Sequence, residues 1–105
     1  MSLTGRNPLG LKGPTPVSKA IRDFARGQEC ALQMPWCTRD PETVVHCHVR
    51  MSGIVGIGQK PPDFMGYHGC AECHRREKEA GNDDILRALL ITQHRLWFAG
   101  ILRMT

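Results

Sequence analysis

Four cysteines in two pairs constrain this chain more than any other feature. Cys30 and Cys37 lie in one short stretch, ECALQMPWCTRD, and Cys70 and Cys73 in another, CAEC, with a long insertion between them. A tetrahedral zinc ion takes four thiolates, and pairs on separate loops let one ion join the two halves of a small domain. The second pair has the two-residue gap of a zinc knuckle. The first has a looser gap of six, and Pro35 within it is expected to tighten the loop. Thiolates are not preorganised in an unfolded chain, so the ion's binding energy would also be folding energy. Buried free thiols, or a redox pair at Cys70 and Cys73, are the other readings these residues leave open.

A chain of this size needs some such cross-link. Its 105 residues allow one domain and one modest core, and aromatic residues make up only 6%. The opening MSLTGRNPLG has no apolar run of the signal-peptide kind, and no stretch is long enough to span a membrane. A cytoplasmic location is therefore expected, where cysteine pairs bind metal or do chemistry more often than they form disulfides. The formal charge is +4 with a pI near 9.0. Four thiolates and a doubly charged ion would take that +4 to about +2, so net charge permits nucleic-acid binding without establishing it.

Residues 1–14, rich in Gly, Pro and basic side chains, read as a flexible basic arm ahead of a single domain at 15–105. A first helix is expected from Thr15 or Ser18, with Val17, Ile21, Phe24 and Ala25 on one face and Gly27 as its stop. The run VVHCHVR at 44–50 has the β-branched residues and partial alternation of a strand. The glycine-rich segment after it suits a loop, or a short second strand at Ile54 to Ile57, and its Gly53, Gly56 and Gly58 form no dinucleotide fingerprint. A helix is expected after Cys70 and up to Gly81, carrying the pairs Glu72–Arg76 and Arg75–Glu79. A last helix, capped by Asn82, is expected to bury Leu86, Leu90, Trp97 and Ile101, with Leu89 and Leu96 alongside.

The histidines supply the second signal. Alternation on a strand turns His46 and His48 to one face and Cys47 to the other. On a helix, His74 stands about 100° from its neighbour Cys73, so one can face a structural zinc and the other a second site. A strand imidazole that deprotonates water and a helix imidazole that holds a cation would together suit phosphodiester hydrolysis. His94, in mid-helix, reads as a bystander.

With these residues on the page, the stretch PETVVHCHVRMSGIVGIGQKPPD…CAECH resembles the YbcO-like HNH nucleases of phage and prophage genomes. The resemblance runs from about Arg26 to the end of the last helix, and rests on HVR, the G-x-G-x-K-P-P-D segment at Gly56 to Asp63, and CxxCH at Cys70 to His74. It implies an α+β fold: a small ββα-metal core with a four-cysteine zinc site, flanked by the N- and C-terminal helices. It implies a metal-dependent DNA endonuclease with His48 as general base and His74 on the catalytic divalent ion, Mg²⁺ or Mn²⁺. Cys30, Cys37, Cys70 and Cys73 match the ligands of the structural Zn²⁺. The chain departs from the broader HNH pattern at Cys47, where an acidic residue or histidine often supplies a metal ligand. The middle asparagine has no direct counterpart, and Asp63, His68 and His46 are the candidates, with Asp63 best placed as a further ligand. Arg50, Lys60, Arg75 and Arg76 are candidate phosphate contacts. The rival readings are a non-catalytic zinc-dependent DNA-binding module and, more distantly, a thiol redox protein. DNA is the expected partner, no membrane is, and the apolar last helix would allow a homodimer.

Overall fold

The computed structural model describes residues 18–50 and 62–102. It is a small α+β arrangement of three helices and a two-stranded antiparallel sheet. Helix α1 spans Lys19–Phe24, strand β1 Val45–His48, strand β2 Gly66–Gly69, helix α2 Ala71–Arg75 and helix α3 Asn82–Phe98. The basic arm, the option of a start at Thr15, the glycine-rich loop with its optional strand at 54–57, and Lys60 all lie outside the described residues.

Ser18 caps α1, its hydroxyl accepting from the Ile21 N–H, one of the donors that a helix start leaves without a partner. Ile21 and Ala25 are buried, Phe24 only partly, and Gly27 follows at φ +91°, a left-handed conformation that glycine reaches without strain. β1 is shorter at each end than the expected 44–50. Its partner β2 was not foreseen: two glycines bracket only Tyr67 and His68, which leaves almost no apolar pattern to read. The register pairs Val45 with Gly69, His46 with His68, Cys47 with Tyr67 and His48 with Gly66. The outer edge of β2 is closed, because the His68 N–H donates to the Thr92 hydroxyl (2.9 Å) and its carbonyl accepts from Ala31 (2.7 Å).

Two helix expectations need correction. The segment after Cys70 is not one helix to Gly81: α2 stops at Arg75 and a 3₁₀ turn at Glu77–Glu79 follows. Its ion pairs accordingly close at a spacing of three, Arg75 with Glu72 and Arg76 with Glu79. In α3 the cap is Gly81, whose N–H donates to the Asp84 carboxylate (3.2 Å), and Asn82 is already inside the helix. The buried stripe of α3 is Ala88, Leu89, Thr92 and Leu96, whereas Leu86, Leu90 and Trp97 are exposed (37, 65 and 53%) and Ile101 is half-buried. The helix carries apolar residues on two opposite faces, and periodicity alone does not say which one meets the sheet. The face that packs is the one whose Thr92 hydroxyl can satisfy the β2 edge.

The core holds Leu32, Val44, Val49, Tyr67, Ala88 and Leu89 together with four of the five cysteines, Cys30, Cys47, Cys70 and Cys73. Among the described residues no helix is long and apolar enough to cross a membrane.

Candidate functional site

The expected four cysteines converge. The Sγ atoms of Cys30, Cys37, Cys70 and Cys73 all lie within 4.8 Å of one another, and all four thiols are free. The first pair meets because the loop doubles back: Cys37 N–H donates to the Met34 carbonyl (2.9 Å), with Pro35 second in the turn, as its fixed φ favours. Gln33 and Arg39, at φ +50° and +59°, sit in the left-handed region on either side and sharpen the reversal. The second pair is carried by the start of α2, where Cys70 immediately follows β2.

This donor set fits zinc. Bonds of about 2.3 Å in a tetrahedron put sulfurs about 3.8 Å apart, and Cys70 and Cys37 stand at 3.8 Å. A disulfide needs about 2.05 Å. Burial works to raise the Cys70 pKa, but hydrogen bonds from Cys73 and Thr38 outweigh it and bring the thiol down to about 6. Burial pushes Cys73 and Cys37 up. The thiols would thus not ionise together unaided, and a binding cation would displace their protons. Among the described residues this is the one group of three or more such ligands close enough to share an ion.

The second cluster lies on the face of β1 that carries His46 and His48. His48 Nε2 donates to Asp63 Oδ1 (2.8 Å), and His46 Nε2 bonds the Asp63 main-chain carbonyl. The other carboxylate oxygen, Oδ2, accepts from the Ser18 N–H (2.6 Å) and lies 3.5 Å from Arg22 Nε. Asp63 is only 1% exposed. Burial works to raise its pKa, but the Ser18 N–H, His48 and Arg22 hold it below the usual carboxylate range. His68, cross-strand neighbour of His46, is fully buried, and its Nδ1 faces Arg95 Nη1 at 3.0 Å. Burial, then the Arg95 guanidinium, push His68 down to about 4, and burial likewise lowers His46.

Cys47 points the other way, as alternation requires. It is 1% exposed and outside the four-sulfur group, and burial pushes its thiol up to about 12. Its partner Tyr67 donates to Glu77 Oε2 (2.5 Å), and Glu77 in turn stands 3.7 Å from His74 Nδ1. His74 is thus brought to Glu77, and His48 to Asp63. A cleft of about 340 Å³ runs between His48 and Glu77, with Arg50, Tyr67, Lys78 and Asn82 also in its wall; His74 and Asp63 do not line it.

Of the candidate phosphate contacts, Arg50 is exposed and lines this cleft. Arg75 is forked onto Glu72 (2.9 and 2.7 Å), and Arg76 grips Glu79 (2.6 and 2.9 Å) while stacking over Trp36 at 4.1 Å. His94 is exposed against Phe98. Sequence reasoning missed Glu77, Ser18, Arg22 and Arg95 as neighbours of the site. Only Ser18 left a signal, as a helix cap; that its N–H would meet Asp63 required the tertiary fold.

Against known proteins, residues 19–99 match the family described as "Putative nuclease YbcO". "Putative nuclease YbcO" of Escherichia coli (strain K12) and "Putative nuclease ybcO" of Enterobacteria phage 82 are each 44% identical over 55 residues. That stretch covers 51% of this chain and 57% of each relative, so the match spans little more than half of their length. A solved structure, "Structure of a putative bacteriophage protein from Escherichia coli str. K-12 substr. MG1655", superposes with a TM-score of 0.61 at 28% identity. It covers 77% of this chain and all of that one.

Proposed function

Because the chain belongs to the YbcO nuclease family, we propose that it is a metal-dependent DNA endonuclease of the HNH type, of phage or prophage origin, with His48 as general base. The observation that carries this reading is the His48–Asp63 hydrogen bond. A carboxylate only accepts, so His48 donates through Nε2–H and keeps a bare lone pair on Nδ1. That lone pair takes a proton from water as the water oxygen bonds to phosphorus and the bond from phosphorus to the leaving 3′ oxygen breaks. Both Asp63 oxygens are engaged, which supports a role in orienting His48 in place of the expected role as metal ligand.

A divalent ion, Mg²⁺ or Mn²⁺, would supply charge neutralisation at the phosphate. Glu77, in the cleft wall, and His74, whose Nδ1 is 3.7 Å from its carboxylate, are the groups that would hold it. Arg50 and Lys78 in the cleft wall offer phosphate contacts without sequence readout. Zn²⁺ on the four cysteines would be structural. The site of action would be the cytoplasm of an infected or lysogenic bacterium.

Plasmid nicking by wild type and His48→Ala, matched for bound zinc and assayed across divalent ions with an EDTA control, tests the proposal. Metal-dependent nicking should vanish in the variant. Equal nicking by both proteins would remove His48 from the mechanism. One observation favours the alternative, a non-catalytic zinc-dependent DNA-binding module: Cys47, beside the base, is sealed in the core and supplies no ligand. Wild type that binds DNA yet nicks nothing with any ion would establish that alternative.

A second copy is the proposed partner of the outer face of α3, where Leu90, Trp97 and Phe98 are 65, 53 and 76% exposed. Sedimentation at rising concentration should give a dimer that Leu90→Glu abolishes; a monomer throughout would exclude it.

A further inference from the structure

Behind the His48–Asp63 pair, two buried ring nitrogens have no hydrogen-bond partner among the described residues: His46 Nδ1 and His68 Nε2. What each carries follows from the other nitrogen of its ring. The Asp63 main-chain oxygen can only accept, so His46 Nε2 holds the proton and Nδ1 is a lone pair. Arg95 can only donate, so His68 Nδ1 accepts and its proton sits on Nε2. One orphan is therefore an acceptor and the other a donor.

They are also neighbours. His46 and His68 are directly opposed across the sheet, and His68 turns its own N–H and carbonyl outward to Thr92 and Ala31. This is the non-hydrogen-bonded kind of antiparallel pair, in which side chains stand closest. The ring centroids are 6.3 Å apart and the planes meet at 69°. A link between donor and acceptor, direct or through one trapped water, satisfies both groups at once.

We propose that His46 and His68 are joined by that link and act as positioning residues for His48, completing a chain Arg95–His68–His46–Asp63–His48. This deepens the reading of His48 as base and rests on it. Every donor points towards Asp63: Arg95 into His68, His68 into His46, and His46 into the Asp63 carbonyl, while His48 donates to the carboxylate from the far side. Asp63 is thus gripped by backbone and side chain together, and His48 is left in one tautomer with Nδ1 bare. The seat of the His46 ring is built into the backbone, because the ring lies where a Cβ on Gly66 would stand. A metal ion between the rings fits less well. It would need the lone pair of His68 on Nε2, and so a proton on Nδ1 facing the Arg95 N–H.

Nitrogen-15 NMR of the histidine side chains, near pH 8 where imidazoles are neutral, tests the chain without any nuclease assay. Wild type should show His46, His48 and His68 each as a single Nε2–H tautomer. His46→Leu should turn His48 into a mixture. His46→Gln, whose side-chain amide can replace the Nε2–H donor, should restore the single form. Arg95→Met, at a partly exposed position, should release His68 into both tautomers, and it decides the matter if His46→Leu does not fold. A mixed His48 in wild type, an unchanged His48 in His46→Leu, or an unchanged His68 in Arg95→Met would each overturn the proposal. Nicking adds a kinetic arm: kcat should fall about tenfold in His46→Leu with KM unchanged, and recover in His46→Gln. Wild type with the expected tautomers and no nicking would sink the nuclease reading while supporting the chain of hydrogen bonds.

Discussion

Two buried clusters of chemistry-bearing side chains flank the same hairpin, and they are completed in opposite ways. The four cysteines present like donors at ligand spacing, with all their sulfurs within 4.8 Å of one another, and four thiolates so close repel one another unless a cation lies between them. That cluster calls for a cation. The His46–His48–His68–Asp63 cluster is matched within itself: Asp63 alone serves His48, His46 and Ser18, and the two ring nitrogens left open, one an acceptor and one a donor, complement each other. A ligand set and a hydrogen-bond set can share residue types and depth of burial. They differ in whether donors and acceptors are present in complementary numbers.

The largest effect should come from the unmatched cluster. Cys73→Ser removes a fully buried sulfur, and in a core this small the four-sulfur centre should carry much of the folding energy, with zinc-dependent domains gaining about 10 kcal/mol or more from their ion. Circular dichroism should report an unfolded chain, and metal analysis of wild type should find one tightly held zinc per chain. A folded Cys73→Ser protein, or wild type that keeps its fold in strong chelator, would break the comparison by showing that the sulfurs close without an ion.

The cysteine cluster was also the more legible of the two, for the same physical reason. Thiolates in pairs imply a shared partner whatever lies between them, so Cys30, Cys37, Cys70 and Cys73 could be grouped from sequence across a segment of unknown path. Even the tightening at Pro35 came through as a turn. The histidine cluster depends on register. Alternation correctly separated His46 and His48 from Cys47, but nothing local said that β2 would place His68 opposite His46, or that Ser18 and Arg95 would arrive from the two ends of the chain. Helix faces failed for a related reason: with apolar side chains on both sides of α3, only the Thr92 contact to the sheet edge selects the buried one.

Next in size should be Asp63→Asn. The amide keeps the shape but halves the acceptor capacity facing His48 and the Ser18 N–H. Loss of about 1–3 kcal/mol in denaturant unfolding is expected, with nicking reduced about a hundredfold or more and zinc content unchanged. The depressed Asp63 pKa makes this contribution present above the unfolded value, near 4, and lost as pH falls through the lower folded value. The variant should therefore lack that acid-side loss. Zinc released from Asp63→Asn at neutral pH would mean that the two clusters are one cooperative unit.

A pair of glycines separates the clusters more finely. A Cβ at Gly66 would collide with the His46 ring, whereas one at Gly69 would stand 2.9 Å from the Tyr67 ring and 3.1 Å from Cys47 Sγ. Each alanine substitution should cost about 1–3 kcal/mol through overpacking. Gly66→Ala should lower nicking the more, because it displaces a member of the histidine cluster directly, whereas Gly69→Ala reaches the site only through Tyr67 and its bond to Glu77. Equal loss of activity in both, measured at equal folded fraction, would assign the effect to the hairpin as a whole.

The smallest effect is a pH slope, read as the difference between wild type and His46→Gln, because zinc-bound thiolates also take up protons on unfolding and tilt both proteins alike. His46 and His68 are held below their ordinary pKa by burial, His68 at about 4. As pH falls from about 7.5 to 5.5 the unfolded chain takes up protons at these histidines, with reference pKa near 6.5, and the folded chain takes up fewer. Unfolding then binds protons, so stability must fall with pH, by at most about 1.4 kcal/mol per pH unit for each such histidine. Asp63 adds nothing in this window, since its carboxylate is ionised in both states. Denaturant midpoints measured with zinc in excess should decline more steeply in wild type than in His46→Gln, which keeps the thiolates and removes one titrating imidazole. Equal or shallower decline in wild type would mean that His46 gains a stabilised charged form in the fold, and the second cluster would then be awaiting an anion, much as the first awaits a cation.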